Sequence, residues 1–303
     1  MAQRFVTLPE IRAEARKTLP REVWNFGEGG TETETTLRRN RRALRRLAIR
    51  QDILVDVREI DLTTSLLGVP LSWPVAIAPM GGLVLFHPEG DVEMGRGAEA
   101  GDTLQFLSGA TGFAVEDVAR ASRGPKMFQL YHMGDRAWVA DLLARVEASG
   151  YHAVVLTVDV QVYSRRERDI AARWSPREAM ADARRALDAD VALVWVSNHG
   201  GRQLDSTQAS IDALPPIADA VAGRAAIVVD GGFARGTDVL KGLAWGADVV
   251  AVGRTVLWGL AAGGAPGVAN ALGLLREELR TSMALAGQTR VRALARDAVF
   301  RVD

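Results

Sequence analysis

Polar and charged residues follow several short apolar runs of this chain, at the point where each run ends. The run that ends in Thr157-Val158-Asp159 is followed by Arg165 and Arg166. A later run ends in Ser197-Asn198-His199-Gly200-Gly201-Arg202, and the next in Asp230-Gly231-Gly232. Imidazole suits proton transfer near neutral pH, and guanidinium groups bind carboxylates through paired hydrogen bonds. Each group alone has an ordinary structural explanation, but together, at the ends of successive runs, they indicate an active site.

Apolar runs alternate with helical stretches along the chain. The runs are Val75–Pro79, Thr103–Ser108, Met127–Tyr131, Ala153–Asp159, Val191–Ser197, Ala226–Asp230 and Val249–Gly253. Helices are predicted between them at Arg136–Ala148, Pro176–Leu187 and Thr237–Trp245. Short, continuously apolar runs are typical of strands buried on both faces of a parallel sheet. The alternation predicts an α/β fold of the (β/α)8 TIM-barrel type, in which active groups lie where the strands end.

The length of 303 residues fits a single barrel domain. We expect an N-terminal helical cap over residues 1–70, the barrel over 71–265 and C-terminal helices over 266–303. The predicted helices outside the barrel are Leu8–Thr18, Thr36–Arg46, Val268–Ala284 and Arg290–Val299. Seven runs are one short of a closed barrel, and the widest gap lies between Asp159 and Val191.

Composition excludes several other classes of protein. The formal net charge is zero, so no nucleic-acid partner is expected. The chain has no cysteine, which excludes disulfides and a thiol nucleophile. The four histidines are dispersed without ligand spacing, so no metal site is predicted. No apolar run reaches about 18 residues, so we expect no membrane segment and a cytoplasmic protein.

From about Leu8 to Asp297 the sequence resembles the FMN-dependent α-hydroxy-acid oxidases and dehydrogenases, which include glycolate, lactate and mandelate oxidases. The nine-residue string Ser197-Asn198-His199-Gly200-Gly201-Arg202-Gln203-Leu204-Asp205 is the most specific part of the match. The other matching stretches are Ile77-Ala78-Pro79, His87-Pro88-Glu89-Gly90, Phe128-Gln129-Leu130-Tyr131, Leu156-Thr157-Val158-Asp159, Arg165-Arg166-Glu167, Asp230-Gly231-Gly232, Gly236-Thr237-Asp238-Val239 and Met283-Ala284-Leu285-Ala286-Gly287. The resemblance implies oxidation of a 2-hydroxy acid to the 2-keto acid.

The same resemblance implies roles for individual residues. His199 would be the base, and Asp159 would hold its imidazole. Arg166 and Arg202 would bind the substrate carboxylate. The catalytic residues implied by the resemblance also include Tyr131 and Trp24.

FMN is the cofactor that the resemblance implies. Its ring would lie against Pro79, Met80 and Gly81, and Ser108, Gln129 and Thr157 would bond to it. Its phosphate would lie near Asp230, Gly232, Arg235, Gly253 and Arg254. Family members are commonly homotetramers or larger, so a homo-oligomer is expected.

Three single positions depart from the family pattern. Trp24 stands where the family usually has a substrate-binding tyrosine, and its indole donates only from nitrogen. Ala110 is small at a position often filled by a bulky residue, and the hypothesis from this change is a bulky, mandelate-like 2-hydroxy acid. Ala234 replaces an arginine that commonly binds the FMN phosphate, and Arg235 could act instead only if its side chain pointed the other way.

The largest departure is a missing stretch. In the family a loop, a helix and a fifth strand ending in Lys-Gly follow the Arg-Arg-Glu motif, but here Arg173-Trp174 leads almost directly into Ser175-Pro176. None of Lys17, Lys126 and Lys241 can replace the missing lysine on positional grounds. Either the natural protein contains this stretch and the present sequence lacks it, or the protein is a degenerate relative that binds flavin or a ligand without ordinary turnover. A phosphate-binding isomerase barrel is a third hypothesis, and the electron acceptor stays open.

Overall fold

The computed structural model describes residues 5–160, 162–174 and 192–302. All seven apolar runs contain a strand, and other strands lie near the chain ends. The strands are β1 (Leu47–Ile49), β2 (Thr64–Leu66), β3 (Val69–Leu71), β4 (Val75–Ile77), β5 (Leu104–Ser108), β6 (Lys126–Leu130), β7 (Val154–Leu156), β8 (Leu193–Val196), β9 (Ala226–Val229), β10 (Val249–Val252) and β11 (Val299–Arg301). The predicted strands are therefore confirmed where the chain is described; Val191 lies outside the described residues.

Helices separate the strands in the predicted α/β alternation. They are α1 (Leu8–Thr18), α2 (Arg21–Glu28), α3 (Thr35–Arg45), α4 (Gly90–Ala100), α5 (Val115–Ala121), α6 (Arg136–Ala148), α7 (Glu167–Ala171), α8 (Ser210–Val221), α9 (Gly236–Ala244) and α10 (Arg254–Leu285). Helix α10 is kinked at Gly263 and Gly264, whose backbone angles are not helical. None of the helices in the described ranges is long and apolar enough to cross a membrane.

The chain divides into two compact units. The first contains residues 1–29, 77–189 and 253–272, and the second contains residues 30–76, 190–252 and 273–303. This division interleaves along the sequence, because each unit takes three separate stretches of chain. The predicted single domain with its cap at 1–70 is not tested by this division.

The first unit is built around β5, β6 and β7, which pair in parallel. Every residue of β5 and β6 is buried, as their continuous apolar sequences predict. The core beside these strands consists of Leu107, Val115, Val118, Phe128, Leu130, Val146 and Tyr151. Helix α6 begins where Asp135 accepts a hydrogen bond from Trp138 N over 2.9 Å, which satisfies one of the free amides of its first turn.

The second unit contains β8, β9 and β10, which also pair in parallel. Strand β10 is fully buried, and helix α9 packs against it. Helix α9 begins at a carboxylate: Asp238 Oδ2 accepts hydrogen bonds from the backbone nitrogens of Ala234 and Arg235 over 3.0 and 3.1 Å. This cap fixes the chain directly after the Asp230-Gly231-Gly232 motif.

Strand β7 is the last strand of the pairing order in the first unit, and β8 is the last in the second. The boundary between the units falls inside β4. Among the described residues, β7 pairs only with β6 and β8 only with β9. Val154 and Leu156 of β7 are 42% and 41% exposed, although the neighbouring strand β6 is fully buried. The apolar sequence of β7 is typical of a strand with a neighbour on each side, but among the described residues β7 has only one.

Residues 162–174, the described part of the gap between β7 and β8, contain the short helix α7 and no strand. The expected position of the missing fifth strand is therefore also the position where the sheet ends. The predicted helix Pro176–Leu187 lies outside the described residues.

The predicted helix Arg290–Val299 is wrong, so the C-terminal region over 266–303 is only partly helical. Two short 3-10 turns, Val291–Ala293 and Arg296–Ala298, occupy this stretch, and strand β11 follows. Strand β11 pairs antiparallel with β1, with Ala48 opposite Phe300. Pairing between residues so far apart in sequence overrides the local helical pattern, which is a tertiary effect.

Candidate functional site

A buried amide lies near the ends of β5 and β6 in the first unit. Gln129 Oε1 accepts hydrogen bonds from Ser108 Oγ over 3.0 Å and from Gly109 N over 3.3 Å. Because a backbone N–H can only donate, the amide atom that faces it is the oxygen. Gln129 Nε2 is therefore turned away, and it is buried without a hydrogen-bond partner among the described residues. Buried donors are normally satisfied, so this one indicates a bound group that accepts a hydrogen bond.

The loop after β4 lies beside the loop after β5. A Cβ at Gly81 would lie 2.8 Å from Ala110 Cβ, so only glycine allows this approach. Gly82 N donates to Ala110 O over 3.3 Å, which ties the two loops together. A Cβ at Gly253 would lie 3.6 Å from Met80 Sδ, an ordinary contact distance. The structure thus brings Gly253 close to Met80 in the loop after β4, and Gly81 close to the loop after β5. Pro79, which directly precedes Met80, is half-buried.

Three of the predicted catalytic residues influence one another in the first unit. Burial, supported by the charge of Asp159 and opposed by that of Arg166, raises the pKa of Tyr131 to about 12. Arg166 is 9% exposed. Burial lowers the pKa of Arg166, although Tyr163, Asp169 and Tyr131 act in the opposite direction. Thr157 is half-buried, and its backbone N–H donates to Leu130 O over 3.0 Å.

Trp24 packs away from these residues. Its ring stacks on Trp258 with a centroid distance of 4.5 Å, and the guanidinium groups of Arg12 and Arg16 lie 5.0 and 5.2 Å from its centroid. The aromatic residue next to Arg166 is instead Phe26, whose ring centroid lies 5.5 Å from the guanidinium carbon. The role of Trp24 at the substrate stays a prediction.

Phe26 and Tyr163 were both missed by sequence reasoning. Phe26 lies two residues after Trp24 on α2. The signal in the sequence was this second aromatic residue on the same helix. Tyr163 lies three residues before Arg166 and accepts a hydrogen bond from its Nη1 over 2.8 Å. Its place directly before the arginine run was the signal there.

In the second unit, the residues after β8 and β9 form a connected polar loop. Ser197 Oγ donates to Asp230 Oδ1 over 2.7 Å and accepts from His199 N over 3.0 Å. Trp195 Nε1 donates to Asp230 Oδ2 over 3.2 Å. His199 has a φ of 54°, an uncommon left-handed conformation for a residue with a side chain. Asp230 therefore holds the turn that carries His199, and half-buried Arg202 follows three residues later.

Helix α3 supports this loop through residues that sequence reasoning missed. The side-chain amides of Asn40 and Asn198 bond reciprocally over 2.8 and 2.7 Å, and Asn40 is 1% exposed. Arg41 Nη1 donates to Gly232 O and, over 2.8 Å, to Asp238 Oδ2. A buried asparagine in an arginine-rich helix was the available signal, because buried amides need specific partners.

The two glycines after Asp230 adopt conformations that other residues rarely adopt. Gly231 and Gly232 have φ values of 98° and 88°. A Cβ at Gly231 would lie 2.6 Å from Ser210 Oγ, which leaves no space for a side chain. The loop therefore requires glycine, as expected of backbone that closely approaches a phosphate.

The arginines predicted near the phosphate have other partners. Arg235 Nε and Nη2 bond to the two carboxylate oxygens of Glu278 over 3.0 and 2.7 Å. The side chain of Arg235 therefore points to Glu278. It would have to point the other way to bind a phosphate, as predicted from the sequence. Arg254 Nε and Nη2 donate to the carbonyls of Gly27 and Gly29 over 3.0 and 2.8 Å, and so hold the end of α2.

The three lysines each have partners of their own. Lys126 is the first residue of β6, and its ammonium donates to Ser122 O and Gly124 O, both over 2.7 Å. Lys241 lies inside α9 and donates to Leu44 O over 2.9 Å, while Lys17 of α1 pairs with Glu14. Within the described ranges, no group of three or more histidine, aspartate or glutamate side chains could hold a metal ion.

Comparison with known proteins identifies the family. The family model described as FMN-dependent dehydrogenase matches residues 15–181 and 178–301. The peroxisomal (S)-2-hydroxy-acid oxidase GLO4 of Oryza sativa subsp. japonica is 36% identical over 97% of this chain and 96% of its own length. The L-lactate oxidase of Nostoc sp. is 36% identical over 93% of this chain and 94% of its own. A solved mandelate oxidase structure with (S)-2-phenylpropionate superposes with a TM-score of 0.90 at 34% identity, covering 96% of this chain and 97% of that one.

The chain therefore belongs to the FMN-dependent dehydrogenase family, and it is an FMN-dependent hydroxy-acid oxidoreductase. Its neighbours of solved structure are (β/α)8 barrels, which confirms the predicted fold class. FMN is the family's cofactor, and the buried free donor of Gln129 fits a flavin ring, whose oxygen and nitrogen atoms accept hydrogen bonds.

The comparisons also locate the missing stretch. The alignment with the rice oxidase extends over 350 positions, although this chain has 303 residues, so about fifty positions of the relative have no counterpart. The two segments of the family match meet at residues 178–181. The interruption therefore falls between β7 and β8, where the sheet ends.

Proposed function

We propose that this protein oxidises a bulky or aromatic 2-hydroxy acid to the 2-keto acid. The observation that carries the proposal is the pair of buried donors without partners in the first unit, Gln129 Nε2 and Arg166 Nε. One suits a neutral ring acceptor and the other a carboxylate. A family member that binds flavin and a 2-hydroxy acid needs both.

Residue roles follow from these positions and from the resemblance. His199 accepts a proton from the substrate at an imidazole nitrogen, and Asp159 keeps the supporting role that the family pattern implies. Arg166 and Arg202 bind the carboxylate and orient the α-carbon, because guanidinium forks match carboxylate geometry. Tyr131, with its raised pKa, stays protonated near neutral pH and can donate a hydrogen bond.

FMN, when bound, supplies the two-electron acceptor. Ser108, Gln129 and Thr157 would bond to its ring, and Pro79, Met80 and Gly81 would lie against it. Gly232, Gly253 and the backbone near Asp230 would hold the phosphate, while the side chain of Arg254 donates to the carbonyls of Gly27 and Gly29. The side chain of Arg235 is left out of this set, because it is paired with Glu278.

The size of the substrate follows from Ala110. This alanine is half-buried and lies against Gly81, so the first unit has two small residues at the predicted ring. Gly81 and Ala110 are too small to exclude a phenyl group from this position. Homo-oligomerisation stays part of the proposal.

The experiment is an anaerobic visible spectrum of the FMN-loaded protein with (S)-mandelate, L-lactate and glycolate in turn. Bleaching by mandelate at a higher rate than by lactate supports the proposal, and a clear preference for lactate contradicts its substrate class. His199→Gln should retain the flavin spectrum and lose the bleaching.

A second candidate function is flavin or ligand binding without ordinary turnover. It is favoured by the missing stretch of about fifty positions and by the places of the three lysines. A protein that binds FMN but is not bleached by any of the three acids would favour this candidate. A protein that also refuses FMN would contradict both.

A further inference from the structure

Arg166 carries a buried charge with an incomplete set of partners. Arg166 is 9% exposed, and its Nη1 donates to Tyr163 Oη over 2.8 Å. Nε is buried and has no partner among the described residues. The charge of Asp169 acts on this guanidinium, yet Nε stays unbonded. Because a buried donor is normally satisfied, Nε is available for a ligand that accepts hydrogen bonds, such as a carboxylate.

Aromatic rings fix the plane of this guanidinium. Its carbon lies 4.5 Å from the ring centroid of Tyr163 and 5.5 Å from that of Phe26. Both distances are within the range of cation–π attraction. Phe26 is itself packed, with its centroid 5.5 Å from that of Trp174 and 6.2 Å from that of Phe86. The guanidinium therefore lies against an aromatic cluster that limits its tilt.

Tyr163 does more than a packing ring does, because its oxygen also selects one edge of the guanidinium. A guanidinium offers donors along two edges, and a carboxylate bonds best to two parallel N–H groups. The phenol oxygen occupies Nη1, so the edge that contains Nε is the edge left for a ligand. Phe26 has no oxygen and contributes only the ring contact.

We infer that Tyr163 is a positioning residue that presents the Nε edge of Arg166 to the substrate carboxylate. It acts through Arg166: the hydrogen bond to Nη1 sets the rotation of the fork, and the stacked ring sets its plane. The inference rests on the proposed function, because it states how the protein holds the carboxylate of its substrate. Specificity for a carboxylate over a neutral amide depends on this arrangement.

The test measures binding of phenylacetate and of phenylacetamide to the FMN-loaded protein by calorimetry. Neither probe has a 2-hydroxyl group, so the result does not depend on turnover. Tyr163→Phe removes the oxygen and keeps the ring, and should weaken phenylacetate binding about tenfold, the size of one hydrogen bond to a charged group, with little effect on the amide. Tyr163→Leu, which also removes the ring, should weaken it further.

Tyr151→Phe is the matched control. It also removes a phenol oxygen, which donates to Val115 O over 2.9 Å elsewhere in the first unit, and should leave the affinity for phenylacetate unchanged. If a 2-hydroxy acid is turned over, Tyr163→Phe should raise KM more than it lowers kcat. Unchanged phenylacetate binding in Tyr163→Phe, an equal loss for both probes, or a wild-type protein that binds neither probe would each overturn the inference. Failure to oxidise any acid, with a carboxylate preference that depends on Tyr163, would overturn only the proposed function.

Discussion

Ser108 donates a hydrogen bond of 3.0 Å to Gln129 Oε1, and this bond turns the amide nitrogen of Gln129 away from the loop after β5. Two residues on neighbouring parallel strands thereby create a buried donor with a fixed direction. The flavin affinity of the protein should depend on that donor.

Replacing Gln129 by methionine should raise the Kd for FMN about tenfold or more, because a buried hydrogen bond is lost at nearly constant volume. Quenching of FMN fluorescence on titration measures this Kd. Gln105→Met is the matched control. Gln105 is a buried glutamine of β5 and is 3% exposed, and Gln129 is a buried glutamine of β6. The amide nitrogen of Gln105, however, donates to Asp91 O over 3.4 Å. Equal effects of the two variants would mean that the loss reports general damage to the strands.

Arg166→Met should abolish binding of 2-hydroxy acids, because it removes the guanidinium that would hold their carboxylate. Anaerobic bleaching of the FMN-loaded variant measures this loss. Methionine also removes the cation that acts on the buried carboxylate of Asp169, so urea unfolding with saturating FMN should give a free energy of unfolding about 1–3 kcal/mol lower than that of the wild type. A variant that still binds these acids, or one more stable than the wild type, would contradict the prediction.

Arg235→Gln should change the Kd for FMN less than about threefold, because its side chain is paired with Glu278. Glu278→Gln breaks the same ion pair from the other side and should have the same small effect on stability, within about 1 kcal/mol, since Arg235 is half exposed. A large loss of FMN affinity in Arg235→Gln alone would restore its predicted role as a phosphate ligand.

Asp91 should make stability depend on pH between about 4 and 6. Burial raises the pKa of Asp91 to about 6, against hydrogen bonds from Thr111 and Gly112 that lower it. The folded state therefore binds a proton more tightly than the unfolded state, so this contribution is present below pH 4 and is lost as the pH rises through 6. Relative to the wild type, Asp91→Asn should gain about 2 kcal/mol between pH 4.5 and 7.5 in urea unfolding. A constant difference between the two proteins across this range would contradict the prediction.

The exposed edge of β7 should promote self-association. Val154→Lys should lower light scattering at high protein concentration with little change in stability, because lysine on an edge strand opposes pairing with another chain. Val302→Lys is the matched control, since Val302 is 41% exposed and Val154 42%, but Val302 follows the short strand β11 instead of lying on the end strand. Equal improvement by both variants would indicate a general effect of charge.

Sequence alone determined the elements whose signals are local. The seven apolar runs became β4 to β10, and Arg136–Ala148 became α6 with the same bounds. The family motifs likewise determined the cofactor and the reaction class, because strings such as Ser197 to Asp205 are specific without any knowledge of contacts. The gap before β8 was also visible as a missing strand signal.

Only the tertiary structure decided which partners these residues take. Residues 290–299 read as a helix, yet β11 pairs with β1, some 250 residues away in the sequence. Arg235 was a plausible phosphate ligand until Glu278 was found beside it, and Phe26, not Trp24, proved to lie against Arg166. Periodicity reports which face of an element is apolar, but hydrogen bonds and ring contacts depend on the side chains that distant segments bring near, and local pattern does not encode those.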